Sequence, residues 1–94
     1  MSTPSPTTPG IKTYRALTDE DKQAMNDMKV LEEEVLQAID NLRAKLVAYN
    51  PNDVDDAHRV KEAEPLRWLS IGKTHIQEGF MALNRAIAQP TRVK

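Results

Sequence analysis

Gly72-Lys73-Thr74 carry the most direct chemical suggestion in this sequence, because GK[ST] closes the loop whose backbone amides cradle nucleotide phosphates. Such a loop needs a glycine five residues earlier and a strand to feed it. Arg67 occupies that position, and Val60-Lys61-Glu62-Ala63-Glu64 lacks the alternation of a half-buried strand. The loop reading fails on both counts. What is left is a lysine and a threonine on a helix, able to meet an anion only through their side chains.

Other polar candidates are sparser. His58 and His75 stand too far apart on a helix to share a metal within one chain, so each reads as a surface or interface histidine. Tyr14 lies just outside the first helix, where a ring can stack on a base or pack over the protein. Lys29 borders a methionine stripe, where a lysine ordinarily extends its ammonium to water. No Ser–His–Asp set, carboxylate pair or glycine-rich loop recommends an enzyme, and no cofactor or metal is expected.

Composition narrows the partners. With 13 basic and 14 acidic side chains among 94 residues, the chain has no basic excess with which to hold duplex nucleic acid. Any anionic ligand must be met by a few placed cations. Cysteine is absent, which removes disulfides and thiolate metal sites and fits a reducing compartment. No apolar run approaches the roughly 20 residues of a membrane span, and no hydrophobic signal core opens the sequence. A cytosolic protein without a membrane partner is expected.

The elements that must position these residues are helical. Residues 1–10, MSTPSPTTPG, read as a disordered tail, residues 11–90 as a single helical-hairpin domain with room for a short N-terminal helical turn, and residues 91–94 as a C-terminal tail. Thr18 before Asp19-Glu20-Asp21 marks a helix start, a hydroxyl cap followed by carboxylates at the positive end of the macrodipole. Met25, Met28, Val35, Ile39, Leu42, Leu46 and Tyr49 then recur at steps of three and four or their sum, which predicts one long amphipathic helix. Asn50-Pro51-Asn52-Asp53 ends it. A second helix begins near Asp53 to Asp55, carries Leu66, Leu69, Ile76, Phe80, Leu83 and Ile87, and stops at Ala88-Gln89-Pro90. Pro65 inside it predicts a kink or two helices in tandem. The fold class is therefore all-α, an antiparallel hairpin of two long helices.

A lone hairpin buries only its facing stripe, yet Val30, Leu36, Val47, Trp68, Ile71 and Met81 lie outside that stripe. Covering them with a partner is worth on the order of 10 kcal/mol, so a homo-oligomer is expected. Pro65, Gly72, Gly79 and Ala86 place small residues along one face at intervals of seven. A helical glycine costs about 1 kcal/mol relative to alanine, and close approach of another helix or of a ligand is its compensation. Two charges interrupt the apolar seams, Glu32 between Met28 and Val35, and Lys73 between Leu69 and Ile76. A turn centred near Asn52 would set them opposite each other. Lys73 then either pairs with Glu32 and fixes the register, or meets a ligand anion at a symmetric interface.

The segments TYRALTDEDKQAMNDMK, residues 13–29, and EPLRWLSIGKTHIQEGFMALNRAIAQP, residues 64–90, resemble in content and order the phage anti-CBASS sponges of the small helical-hairpin type. The resemblance covers nearly everything after the tail, while residues 45–62 match only in being polar and helical. It implies a protein that captures the cyclic oligonucleotide signals of bacterial immunity without cleaving them, in the cytoplasm of the infected host. It also implies a homohexamer with two classes of pocket. The cyclic-dinucleotide pocket would use Tyr14 and Lys29, and the cyclic-trinucleotide pocket on the threefold axis would use Arg67 and Thr74, with Lys73 as a further candidate. A structural or adaptor coiled-coil oligomer that binds another protein is the alternative, and a hydrolase of the same signals a third reading.

Overall fold

A computed structural model describes residues 16–90 and contains three helices, α1 Asp19–Ala48, α2 Val54–Ala63 and α3 Pro65–Ala88. Tyr14 and the two tails lie outside the described residues. The hairpin expected from the heptads is present, with α1 packed along α3 and α2 at the bend.

Local sequence sets each boundary. Thr18 caps α1 in a reciprocal box: its hydroxyl accepts the Asp21 amide at 3.0 Å while its own amide donates to the Asp21 carboxylate at 3.0 Å. Tyr49 leaves the helical region at φ −65°, ψ 128°, two residues before Pro51. Asp53 then caps α2 by accepting the Asp56 amide at 2.8 Å. The predicted interruption at Pro65 takes the tandem form. Glu64 adopts a left-handed conformation with φ 48°, and Pro65 opens α3, where its missing N–H costs nothing. Gln89, at φ 51°, ends α3 where expected.

This break changes the register. Leu46 and Pro65 line one hollow, and Asn84 joins Lys22 to Glu32 around another, so the mirror point of the hairpin falls inside α2 near Asp56 rather than at Asn52. The expected opposition of Glu32 and Lys73 is thereby corrected. The sequence reading centred the turn near Asn52, ahead of the second helix, whereas the break at the left-handed Glu64 makes α2 part of the connection.

No described residue is buried. The facing stripe, including Met28, Val35, Ile39, Leu69, Ile76 and Phe80, is only half-covered, because two helices in one layer have nothing above or below their seam. Of the apolar residues expected outside that stripe, Val47, Trp68 and Met81 are 63%, 58% and 69% exposed; Val30 is also exposed, while Leu36 and Ile71 are half-covered.

The bend is held by a polar clamp. The Tyr49 hydroxyl donates to the Asp56 carboxylate, the Asn52 amide donates to it at 3.0 Å, and Arg59 donates through Nε at 2.9 Å. These donors hold the Asp56 carboxyl at about 2, well below its ordinary 3.8, with the Tyr49 hydrogen bond the largest cause. The same contact raises the Tyr49 phenol. A lowered folded-state value means that the ionised clamp contributes stability above pH 3.8 and loses it as pH falls toward about 2. We expect the melting temperature of the native protein to drop more steeply than that of Asp56→Asn across that acid window, followed by circular dichroism; parallel curves would remove Asp56 as the titrating group.

Candidate functional site

Lys29 extends from a stretch of α1 whose helical spacing also sets Lys22, Met25, Asn26 and Glu32 along one flank. These five side chains and Asn84 of α3 line an open cavity of about 350 Å³. That lies near the lower end of small-molecule sites, roughly 300–1,000 Å³, so one chain offers room for a small ligand or for part of a larger one.

The electrostatics of this cavity are unbalanced toward the cation. Neither Lys22 nor Lys29 takes part in an ion pair among the described residues, and both are exposed. Glu32 is the one acid in the lining. Two exposed ammonium groups against one carboxylate, beside the apolar Met25, suit an anion with an attached apolar or flat group better than a bare cation.

The remaining sequence candidates fall elsewhere on α3. Arg67 stands 3.9 Å from Glu64 and 5.2 Å from the centre of the Trp68 ring, with 58% of its side chain exposed. Thr74 is exposed seven residues further on, which returns it to the same helix face. Lys73 is half-covered beside the seam, about 100° around the helix from Thr74, and joins neither Glu32 nor any other acid in an ion pair among the described residues. Arg67 and Thr74 are thus brought together in direction, whereas Lys73 is not. All three are separated from the Lys29 cavity: the helical rise from Lys73 to Asn84 alone is roughly 16 Å. His75 is exposed and pairs with Glu78 at 3.3 Å when protonated, and His58 is exposed. Among the described residues no group of His, Asp and Glu is placed to hold a metal, and no helix is long and apolar enough to cross a membrane.

Lys22, Asn26 and Asn84 are polar cavity residues that sequence reasoning did not single out as site residues, and Asn84 is the one on α3. The heptad count followed Phe80, Leu83 and Ile87, but Phe80, Asn84 and Ile87 are also a helical line, and Asn84 is the more covered of the two intervening residues. A polar residue four after Phe80 and three before Ile87 was the available signal.

The two glycines of α3 have no close neighbour among the described residues. A Cβ added at Gly72 or at Gly79 would meet nothing within 4 Å. Beside Gly79 a second hollow, of about 380 Å³, is lined by His75, Ile76, Phe80 and Leu83.

The hairpin domain of the Acb2/Tad1 family matches residues 9–88. The chain belongs to that family. It is also 38% identical over 95 residues to "Anti-CBASS protein 2" of Pseudomonas phage JBD67, an alignment covering 82% of this chain and 88% of the phage protein. The family assignment agrees with the resemblance carried by residues 13–29 and 64–90, and the matched region spans the described hairpin from its N-terminal cap to the end of α3.

Proposed function

We propose that this chain is a phage immune-evasion protein that binds cyclic di- and trinucleotide messengers of CBASS-type defence and sequesters them uncleaved in the cytoplasm of the infected bacterium. The observation that carries this reading is the pair of unpaired lysines, Lys22 and Lys29, on the rim of a cavity that one hairpin leaves half-built. Family membership and the name of the 38% identical phage protein support it.

Assembly completes the site in this reading. A homohexamer covers the exposed Val30, Val47, Trp68 and Met81, and gives Gly72 and Gly79 a neighbour to approach. At a twofold interface each half of a cyclic dinucleotide meets Lys29 from one copy, with Tyr14 stacking on a base. At a threefold axis the repeated Arg67 and Thr74, with Lys73 beside them, meet the three phosphates of a cyclic trinucleotide. Sequestration asks for affinity and no bond cleavage, so the protein needs no general acid, base or nucleophile.

Incubation with a cyclic dinucleotide, heat denaturation and chromatography of the released nucleotide tests this directly. Intact ligand recovered from the protein is the expected result; linear product indicates a hydrolase, and no retained ligand indicates the adaptor. Lys29→Ala removes a charged contact twice from one pocket, each worth about 1.5–3 kcal/mol, so calorimetry should show affinity falling on the order of 100-fold or more. Gly79→Leu places a bulky side chain where the single chain has space. Sedimentation should then show smaller species with the helical circular dichroism retained, and an unchanged assembly would remove Gly79 from the copy-to-copy contact.

A further inference from the structure

The oxygen Oδ1 of Asn84 is buried and accepts no hydrogen bond. It belongs to a side chain lining the Lys22/Lys29 cavity, on the α3 line between Phe80 and Ile87. Native proteins leave few such atoms unpaired, since a buried acceptor without a donor forfeits the hydrogen bonds it made to water.

The neighbours do not supply that donor. The Met25 side chain has none, Glu32 when ionised is an acceptor only, and the Asn26 amide and the ammonium groups of Lys22 and Lys29 are exposed and make no bond to Asn84. A phosphate ester bound by the two lysines presents acceptors, so it leaves Oδ1 as it was. An N–H on the flat part of the ligand would supply the missing partner. A side-chain amide offers an acceptor beside a donor, and this pair matches the N6 amino group and N7 of adenine.

We infer that Asn84 is a specificity-determining residue of the Lys29 pocket, accepting a hydrogen bond from the exocyclic amine of an adenine whose phosphate the lysines hold. This rests on the cyclic-oligonucleotide reading and assigns to it a base that the lysines cannot choose. Asn84 does so without charge, so its contribution survives salt that weakens the lysine contacts.

The test compares cyclic di-adenosine monophosphate with the analogue in which each adenine amino group is replaced by hydrogen, titrated calorimetrically into the full-length protein. Removing the amine leaves Oδ1 unpaired again, and the affinity should fall by at least about 10-fold. In Asn84→Leu, matched in bulk and without the acceptor, the two ligands should differ by less than about threefold. Equal binding of both ligands by the unmodified protein overturns the inference and leaves the sponge reading standing. So does discrimination that persists in Asn84→Leu, or a variant whose only change is in sedimentation, which would make Asn84 a contact between copies. Failure of the unmodified protein to bind either ligand defeats both readings. The comparison on the unmodified protein needs no variant, so it decides even if Asn84→Leu does not fold.

Discussion

Two helices laid side by side cover one stripe on each, and the structure of this chain follows from that limit. Each α-helix has a circumference to hide and a single neighbour to hide it against, so even the best-placed residues of α1 and α3 keep part of their surface in water. The apolar side chains that fall outside the seam are large ones, Trp68 and Met81 on α3 and Val30 and Val47 on α1. Hydrophobic stabilisation scales with area removed from water, and a small chain already removes a low share. In the proposed assembly the hairpin is half of a packing arrangement, and a concave site on it is half of a site.

The same limit explains where polar function can reside. A cavity in the seam of two helices would be narrow and dry, but a cavity on the flank is open to a second molecule and accessible to water. Lys22 and Lys29 use that flank. Their stems lie along α1 and their charges stay hydrated, so the free chain bears no desolvation cost for them. Asn84 is more covered than either lysine, and a neutral amide tolerates that better than an ammonium would. In the proposed function the exposed charges meet the anionic end of a ligand and the covered neutral group its flat, polar end.

Much of the architecture was legible because its signals are local. Thr18 with Asp21, Asn50-Pro51-Asn52-Asp53, and Pro65 each act through hydrogen bonds or dihedral limits within a few residues, and each sits where the sequence placed it. Register was not legible. It depends on how many residues the bend consumes, and the left-handed Glu64 let the whole of α2 serve as connection, moving Glu32 away from Lys73. The Glu32–Lys73 pair was a pattern-level expectation with no local signal to support it. Asn84 escaped for a related reason: a seven-residue count admits both Leu83 and Asn84 between Phe80 and Ile87, and only the rotation of α3 against α1 decides which one faces inward.

The resemblance of Gly72-Lys73-Thr74 to a phosphate loop misleads in an instructive way. A phosphate loop works by leaving backbone amides free at a helix start, and this chain does the reverse. The first turn of α1 is closed by the Thr18–Asp21 box and crowded with Asp19, Glu20 and Asp21, and that of α2 is capped by Asp53 and carries Asp55 and Asp56; α3 has neither a side-chain cap nor an acid in its first turn, and the proline that opens it lacks an amide of its own. Capping groups and acids already occupy the positive ends of α1 and α2, and an incoming phosphate would meet like charge there. In the proposed function, anion recognition on α1 falls to side chains that emerge from the helix body, such as Lys22 and Lys29. Side chains of that length carry little geometric precision by themselves. In the proposed assembly their precision comes from repetition, the same lysine presented from two sides of one ring, so that a chain of nearly balanced charge can hold a polyanion.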